Sequence, residues 1–310
     1  MSIQRLAWII AIVLCLIASP AFAAPDVVVS IKPIHALVAG VMADIGEPGL
    51  IISGGTSPHL YTLRPRDAEA LQHANLVFWV GPTMEGFLIK PLQALAGNAD
   101  IVELDRAPGV ALLPARQGGA WEADEDTPAG HAAAGALEQD GHLWLDPRNA
   151  KAIARWAAAR LAAHDPGNAA RYAANDTALE QRLDALDAEL RQRLAPIHGA
   201  PFVVFHDAYQ YLERRYGLAA IGSITVSPEQ QPGGRRVSEI RAKIVQSGVR
   251  CVFREPQFAP HLVDTLIAGT AARQGVLDPE GTAMTPGRDL YFHLMDGLAD
   301  ALIGCLAAPR

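Results

Sequence analysis

Histidine is the residue type in this chain with the clearest chemical potential. There are ten, and three occupy comparable places. His59 comes after the Gly54-Gly55 turn, just past an apolar run. His142 opens a short apolar stretch after an acidic segment. His206 closes the run Phe202–Phe205. In an open α/β sheet, ligands sit beyond the carboxyl ends of the strands, and His59 and His206 meet that rule, one from each half of the chain. Imidazole is a good zinc ligand, and three of them leave a fourth position for water or another group. Acids stand near all three: Asp67, Asp146 and Asp207. Asp146 and Asp207 can orient the imidazoles or cap backbone, and the sequence leaves both open. The other histidines, His73 and His198 among them, fall in or beside helical stretches. No nucleophile elbow, P-loop, HExxH or dinucleotide fingerprint is present.

The elements that must carry these residues alternate. Val27–Ile31, Gly49–Ser53, Leu76–Val80 and Ile101–Leu104 read as strands. Helical stretches Pro33–Ala43, Asp67–Ala74 and Thr83–Leu95 lie between them. His142–Leu145 reads as a further short strand, succeeded by a helix from Asn149 to Ala163. After Pro201 the rhythm resumes with strands Phe202–Phe205, Ala219–Ile224, Cys251–Phe253 and Gly275–Leu277. Between the halves, Leu179, Leu183, Leu186, Leu190 and Leu194 recur at spacings of three and four. They predict one helix from Pro166 to Leu194, with Asp165 as its cap. At 1.5 Å per residue it is about 43 Å long, enough to link two lobes. The fold class is therefore α/β: two lobes with parallel sheets flanked by helices and joined by one long helix.

Residues 1–23 carry a basic start, the apolar run Leu6–Ile17 and Ala21-Phe22-Ala23. This is the pattern of a cleavable secretory signal, and the run is short of the ~20 residues of a membrane span. The expected organisation is a signal peptide (1–23), a first lobe (24–164) with a flexible acidic loop (114–141), the long helix (165–195) and a second lobe (196–310). Loss of Cys15 leaves Cys251 and Cys305, which in an exported protein read as a disulfide. Net charge is −7 with no basic stripe, so nucleic acid is not an expected partner.

Local sequences narrow the reading. Ser57–Pro65 (SPHLYTLRP), His142–Pro147 (HLWLDP) and Phe205–Tyr209 (FHDAY) strongly resemble signatures of one family. That family is the periplasmic zinc-binding components of ABC-type high-affinity zinc uptake systems. Trp79–Pro82, Ser227–Gly233, Glu255–Phe258, Leu277–Pro279 and the cysteine pair extend the resemblance over the mature chain. It implies a metal site in the cleft between the lobes, with His59, His142 and His206 as zinc ligands. Pro58 replaces a glutamate that some members place before the first histidine. Asp278 matches the place where related proteins supply an Asp ligand, and it is the candidate fourth ligand beside water. The usual His-rich loop holds only His131, and Arg254 stands where a small residue is common. The resemblance implies a periplasmic, monomeric, non-enzymatic carrier of Zn²⁺ that serves an ABC-type inner-membrane permease. The alternatives are a manganese or iron carrier or a three-histidine zinc hydrolase. Three neutral nitrogens favour zinc over manganese.

Overall fold

The structure is a computed structural model, and it describes residues 24–116, 139–225, 232–258 and 261–307. The expected signal peptide, most of the acidic loop with His131, and Ser227–Gln231 of one motif lie outside the described residues.

The first half runs β1 (Val27–Val29), α1 (Lys32–Val41), β2 (Gly49–Leu50), α2 (Pro65–His73), β3 (Leu76–Trp79), α3 (Ile89–Leu95) and β4 (Asp100–Glu103). All its strand pairs are parallel, in the order β2-β1-β3-β4. The three valines of β1 and the whole of β3 are buried, as continuous apolar runs at the centre of a parallel sheet must be. The second half contains β5 (Pro201–Val204), α6 (Gln210–Tyr216), β6 (Ala219–Ser223) and α7 (Gly234–Gln246). It continues with β7 (Cys251–Arg254), α8 (His261–Ile267), β8 (Arg273–Val276) and α9 (Leu290–Leu306). Its sheet repeats the same scheme, β6-β5-β7-β8, again all parallel. Each sheet therefore has its switch point between its first and third strands, β1/β3 and β5/β7, where open α/β sheets leave a crevice.

Between the sheets run α4 (Pro147–His164) and α5 (Ala169–Leu194). The leucine stripe of α5 is buried throughout, from Leu179 to Leu194. Leu179 lies close against Gly40 of α1, while Arg193 reaches Asp296 and Asp300 of α9. One helix thus touches both halves. It begins three residues later than the leucine spacing predicts, because Pro166–Asn168 forms a 3-10 turn. Asp165 there accepts from Asn168 Nδ2 (2.7 Å) and the Tyr172 hydroxyl (3.0 Å). A single large core extends from Val27 to Leu306, with a smaller one between β5, β7, α7 and α8.

Two expected elements differ. Thr83–Leu95 is helical only from Gly86 onward, as a 3-10 turn leading into α3. His142–Leu145 is not a strand: Leu143–Leu145 form a 3-10 turn. Side chains rather than a neighbouring strand satisfy its backbone. Asn149 Nδ2 donates to Leu143 O (3.1 Å) and the Tyr291 hydroxyl to Trp144 O (2.8 Å). A short apolar run cannot be told from a buried helical turn by pattern alone.

Cys251 and Cys305 are disulfide-bonded, Cα atoms 6.1 Å apart. The bond ties the start of β7 to the last turn of α9. Arg250 and Arg273 reinforce the same junction by donating to the carbonyls of Leu306 and Cys305, groups that a helix end leaves without partners.

Candidate metal site

His206 lies two residues past β5, and Glu255 comes immediately after β7, so both stand at the switch point of the second sheet. His59 comes from the 3-10 turn Pro58–Leu60, capped by Ser57 Oγ (3.3 Å to His59 N). His142 precedes the Leu143–Leu145 turn. The three histidines converge: one ligand atom of each lies within 4.8 Å of the other two. Ring centroids are 5.1 Å apart for His142–His206, 5.6 Å for His59–His142 and 6.0 Å for His59–His206. Among the described residues no other group of three metal-ligating side chains gathers in this way.

Two carboxylates fix the rings. Asp140 Oδ1 accepts from both the backbone N–H (2.9 Å) and Nδ1 (2.8 Å) of His142. Glu255 Oε1 bonds Nδ1 of His206 (2.7 Å) and also accepts from the Tyr209 hydroxyl (3.3 Å). An ionised carboxylate only accepts, so each Nδ1 carries the proton and each Nε2 presents a lone pair. These two Nε2 atoms lie 3.2 Å apart. Two lone pairs facing one another at that distance repel unless a cation or proton stands between them. A tetrahedral zinc with Zn–N bonds of about 2.0–2.1 Å sets its nitrogens roughly 3.3–3.4 Å apart.

The electrostatics agree. Burial first, then the neighbouring imidazoles, hold His59 well below the usual histidine value. Burial and His206 do the same to His142. Burial would also lower His206, but the charge and hydrogen bond of Glu255, with Asp207 and Asp140, outweigh it and raise the group. Burial pushes Asp140 up to about 7. The cluster thus holds nitrogens ready for a metal, with any resident proton on His206 or Asp140.

Of the two roles the sequence leaves open for Asp146 and Asp207, orienting an imidazole falls to neither, and Asp146 takes the capping role. Asp146 caps α4 by accepting from Arg148 N (2.8 Å). Asp207 binds Arg116, which also reaches Glu213. Asp140 and Glu255 take the orienting role instead. Asp278 is not among the residues brought together. Its oxygens accept from Glu280 N (3.2 Å), Thr282 N (2.7 Å) and Thr282 Oγ1 (2.8 Å), which shapes the loop after β8. Arg254, without a role in the sequence, lies beside the side-chain amide of Gln274 in the neighbouring strand β8.

Two parallel α/β sheets of one strand order, with three imidazoles converging where their segments meet, define a two-sheet protein with a nitrogen donor set able to hold a metal ion. The family profile described as zinc-uptake complex component A, periplasmic, matches residues 27–305, and the chain belongs to that family. The chain is 46% identical to the high-affinity zinc uptake system protein ZnuA of Brucella suis, with 91% of each chain covered. It is 36% identical to the ZnuA of Yersinia pestis, with 92% of each covered. A crystal structure of ZnuA superposes with a TM-score of 0.77 at 25% identity, over 91% of this chain and 99% of that one. FpvC of Pseudomonas aeruginosa, solved with Mn²⁺, shares the fold at 21% identity, with a TM-score of 0.77 over 92% and 99% of the two chains. Among the described residues no helix is long and apolar enough to cross a membrane.

Proposed function

We propose that the chain captures Zn²⁺ between its lobes through His59, His142 and His206 and delivers it to an ABC-type permease in the inner membrane. Residues 1–23 serve as a cleaved export signal, and the mature protein works in the periplasm as a monomer. The observation that carries the reading is the pair of Nε2 atoms of His142 and His206, 3.2 Å apart, each ring held by a carboxylate on its far edge. That carboxylate–histidine arrangement raises ligand basicity and fixes the tautomer a metal needs. A donor set of neutral nitrogens suits zinc better than manganese, which prefers oxygen. The fourth position falls to water or to a carboxylate.

Capture then proceeds as exchange. Zn²⁺ displaces whatever proton the cluster holds, and Asp140 and Glu255 keep their negative charge to balance the cation. No bond in the cargo is made or broken beyond coordination. Competitive titration of the purified mature protein tests the proposal: Zn²⁺ should outcompete Mn²⁺ by several orders of magnitude. Comparable affinities for the two would refute it.

A further inference from the structure

Residues 113–116 and 139–140 form a two-stranded stem. Asp140 N donates to Leu113 O (2.8 Å), and Pro114 pairs antiparallel with Gln139. The stem comes from the first half of the chain, yet it docks on α6 of the second. The Tyr211 hydroxyl accepts from Leu113 N (3.0 Å) and donates to Asp140 O (2.9 Å). Gln210 Nε2 donates to Pro114 O (3.0 Å) and to Asp140 Oδ2 (3.3 Å). Each of these two side chains grips both strands of the stem.

Asp140 divides its oxygens. Oδ2 faces α6, while Oδ1 takes the backbone N–H and Nδ1 of His142. Helix α6 in turn begins only four residues after His206. A closed circuit therefore links two of the imidazoles: His142, Asp140, Gln210 and the short lead back to His206. How firmly the stem sits on α6 sets how firmly the two Nε2 atoms keep their spacing of 3.2 Å.

The outer end of the stem is held by charge. Arg116 Nε donates to both oxygens of Asp207 (3.0 Å each), and Nη2 also reaches Asp207. Nη1 and Nη2 donate to the two oxygens of Glu213 (2.9 and 2.8 Å). Asp207 adjoins His206 and Glu213 lies in α6, so one guanidinium spans the lead and the helix together. The three side chains are 19%, 12% and 8% exposed. Fully exposed ion pairs contribute little, but here loss of the cation would leave two largely buried acids uncompensated. The charge of Asp207 already disfavours that of Glu213. A planar five-donor fork satisfies both carboxylates, which a lysine cannot do.

We propose that Arg116 is a positioning residue of the metal site. By fastening the stem to α6 it fixes Asp140, and through Asp140 it holds the ring of His142 at the spacing from His206 that a metal ion needs. The inference rests on the three-histidine reading above and deepens it. A ring fixed in advance has less freedom to lose on binding. Release of the ion begins with one imidazole swinging away, so the fastened stem slows release.

The test uses the mature protein with Zn²⁺ alone and measures zinc dissociation into a chelator, together with the tautomer of His142 in zinc-free protein by long-range ¹H–¹⁵N NMR. The variants are Arg116→Met, the triple change Arg116→Met with Asp207→Asn and Glu213→Gln, and two controls, Arg250→Met and His142→Ala. The triple variant removes the two uncompensated acids, so it keeps the measurement possible where Arg116→Met alone fails to fold. Arg250→Met removes a bond to the Leu306 carbonyl, at the junction of β7 with the end of α9, and reports simple loss of stability. Loss of Arg116, alone or in the triple variant, should speed zinc release about tenfold or more, within the usual range for a lost orienting contact. It should also turn His142 from one Nδ1-protonated tautomer into a mixture. Arg250→Met should lower the melting temperature and change neither readout. Release within about twofold of wild type in the triple variant, an unchanged His142 tautomer, or equal acceleration in Arg250→Met would overturn the role of Arg116. If His142→Ala bound zinc like wild type, the three-histidine reading would fall and this inference with it. If His142→Ala lost binding while the Arg116 variants released zinc normally, only the role of Arg116 would fall.

Discussion

Nε2 of His142 and Nε2 of His206 face each other at 3.2 Å across the junction of the two lobes. With Asp140 and Glu255 on the Nδ1 edges, each neutral ring turns a lone pair toward the other, and a proton on His206 or a metal ion between them relieves the repulsion. The spacing matches two corners of the coordination polyhedron proposed above, in which the carboxylates behind the rings orient the donors.

Asp140→Asn and Glu255→Gln should each weaken zinc affinity roughly 10- to 100-fold, the usual cost of losing an orienting partner. Asp146→Ala should leave zinc affinity unchanged and cost about 1 kcal/mol of stability as a lost helix cap. Calorimetric titration together with thermal unfolding separates the two behaviours. A zinc defect in Asp146→Ala equal to that of Asp140→Asn would show that the orienting carboxylates have been misassigned.

The pH dependence is set by which groups hold protons. His59 and His142 are depressed when folded, so the unfolded chain binds more protons and the stability they contribute is lost as pH falls below about 6.5. His206 is raised and Asp140 lies at about 7. Their protons stabilise the zinc-free fold at low pH, and that contribution fades as pH rises through their folded values. Zinc displaces these protons, so affinity should climb about tenfold per pH unit for each one released. We expect a rise of roughly ten- to a hundredfold between pH 6 and 7. An affinity independent of pH across that interval would rule out this proton inventory.

The disulfide between Cys251 and Cys305 closes a sequence separation of 54 residues. On the chain-entropy account it contributes on the order of 4 kcal/mol. Replacing both cysteines with serine should lower the melting temperature by roughly 10 °C and leave zinc affinity intact, since neither sulfur borders the cluster. Two titratable thiols in the exported, unfolded wild-type protein would contradict the bond.

Much of this architecture is legible in the residues. Continuous apolar runs such as Leu76–Trp79 announce buried parallel strands, and the leucine spacing from 179 to 194 announces the linking helix. The three histidines stand in local sequences distinctive enough to single them out. Their orienting carboxylates are harder to see. Asp146 and Asp207 lie beside the motifs, but a helix start and an arginine claim them. Asp140 is only two residues before His142, and that separation lets one carboxylate take both the backbone N–H and the ring N–H of the histidine. Glu255 lies 49 residues from His206 and reaches it because β5 and β7 are neighbours, a fact of topology that no local pattern carries. The turn at Leu143–Leu145 is hidden for the related reason that tyrosine and asparagine side chains from elsewhere satisfy its backbone.

The most direct test of the three-histidine site is zinc titration of five alanine variants, at His59, His142, His206, His73 and His198. The first three side chains converge, whereas His73 and His198 are exposed. Each of the first three variants should lose tight zinc binding, by at least about a hundredfold, while the last two should match wild type. Equal effects at all five positions, or tight binding that survives loss of His206, would contradict the site.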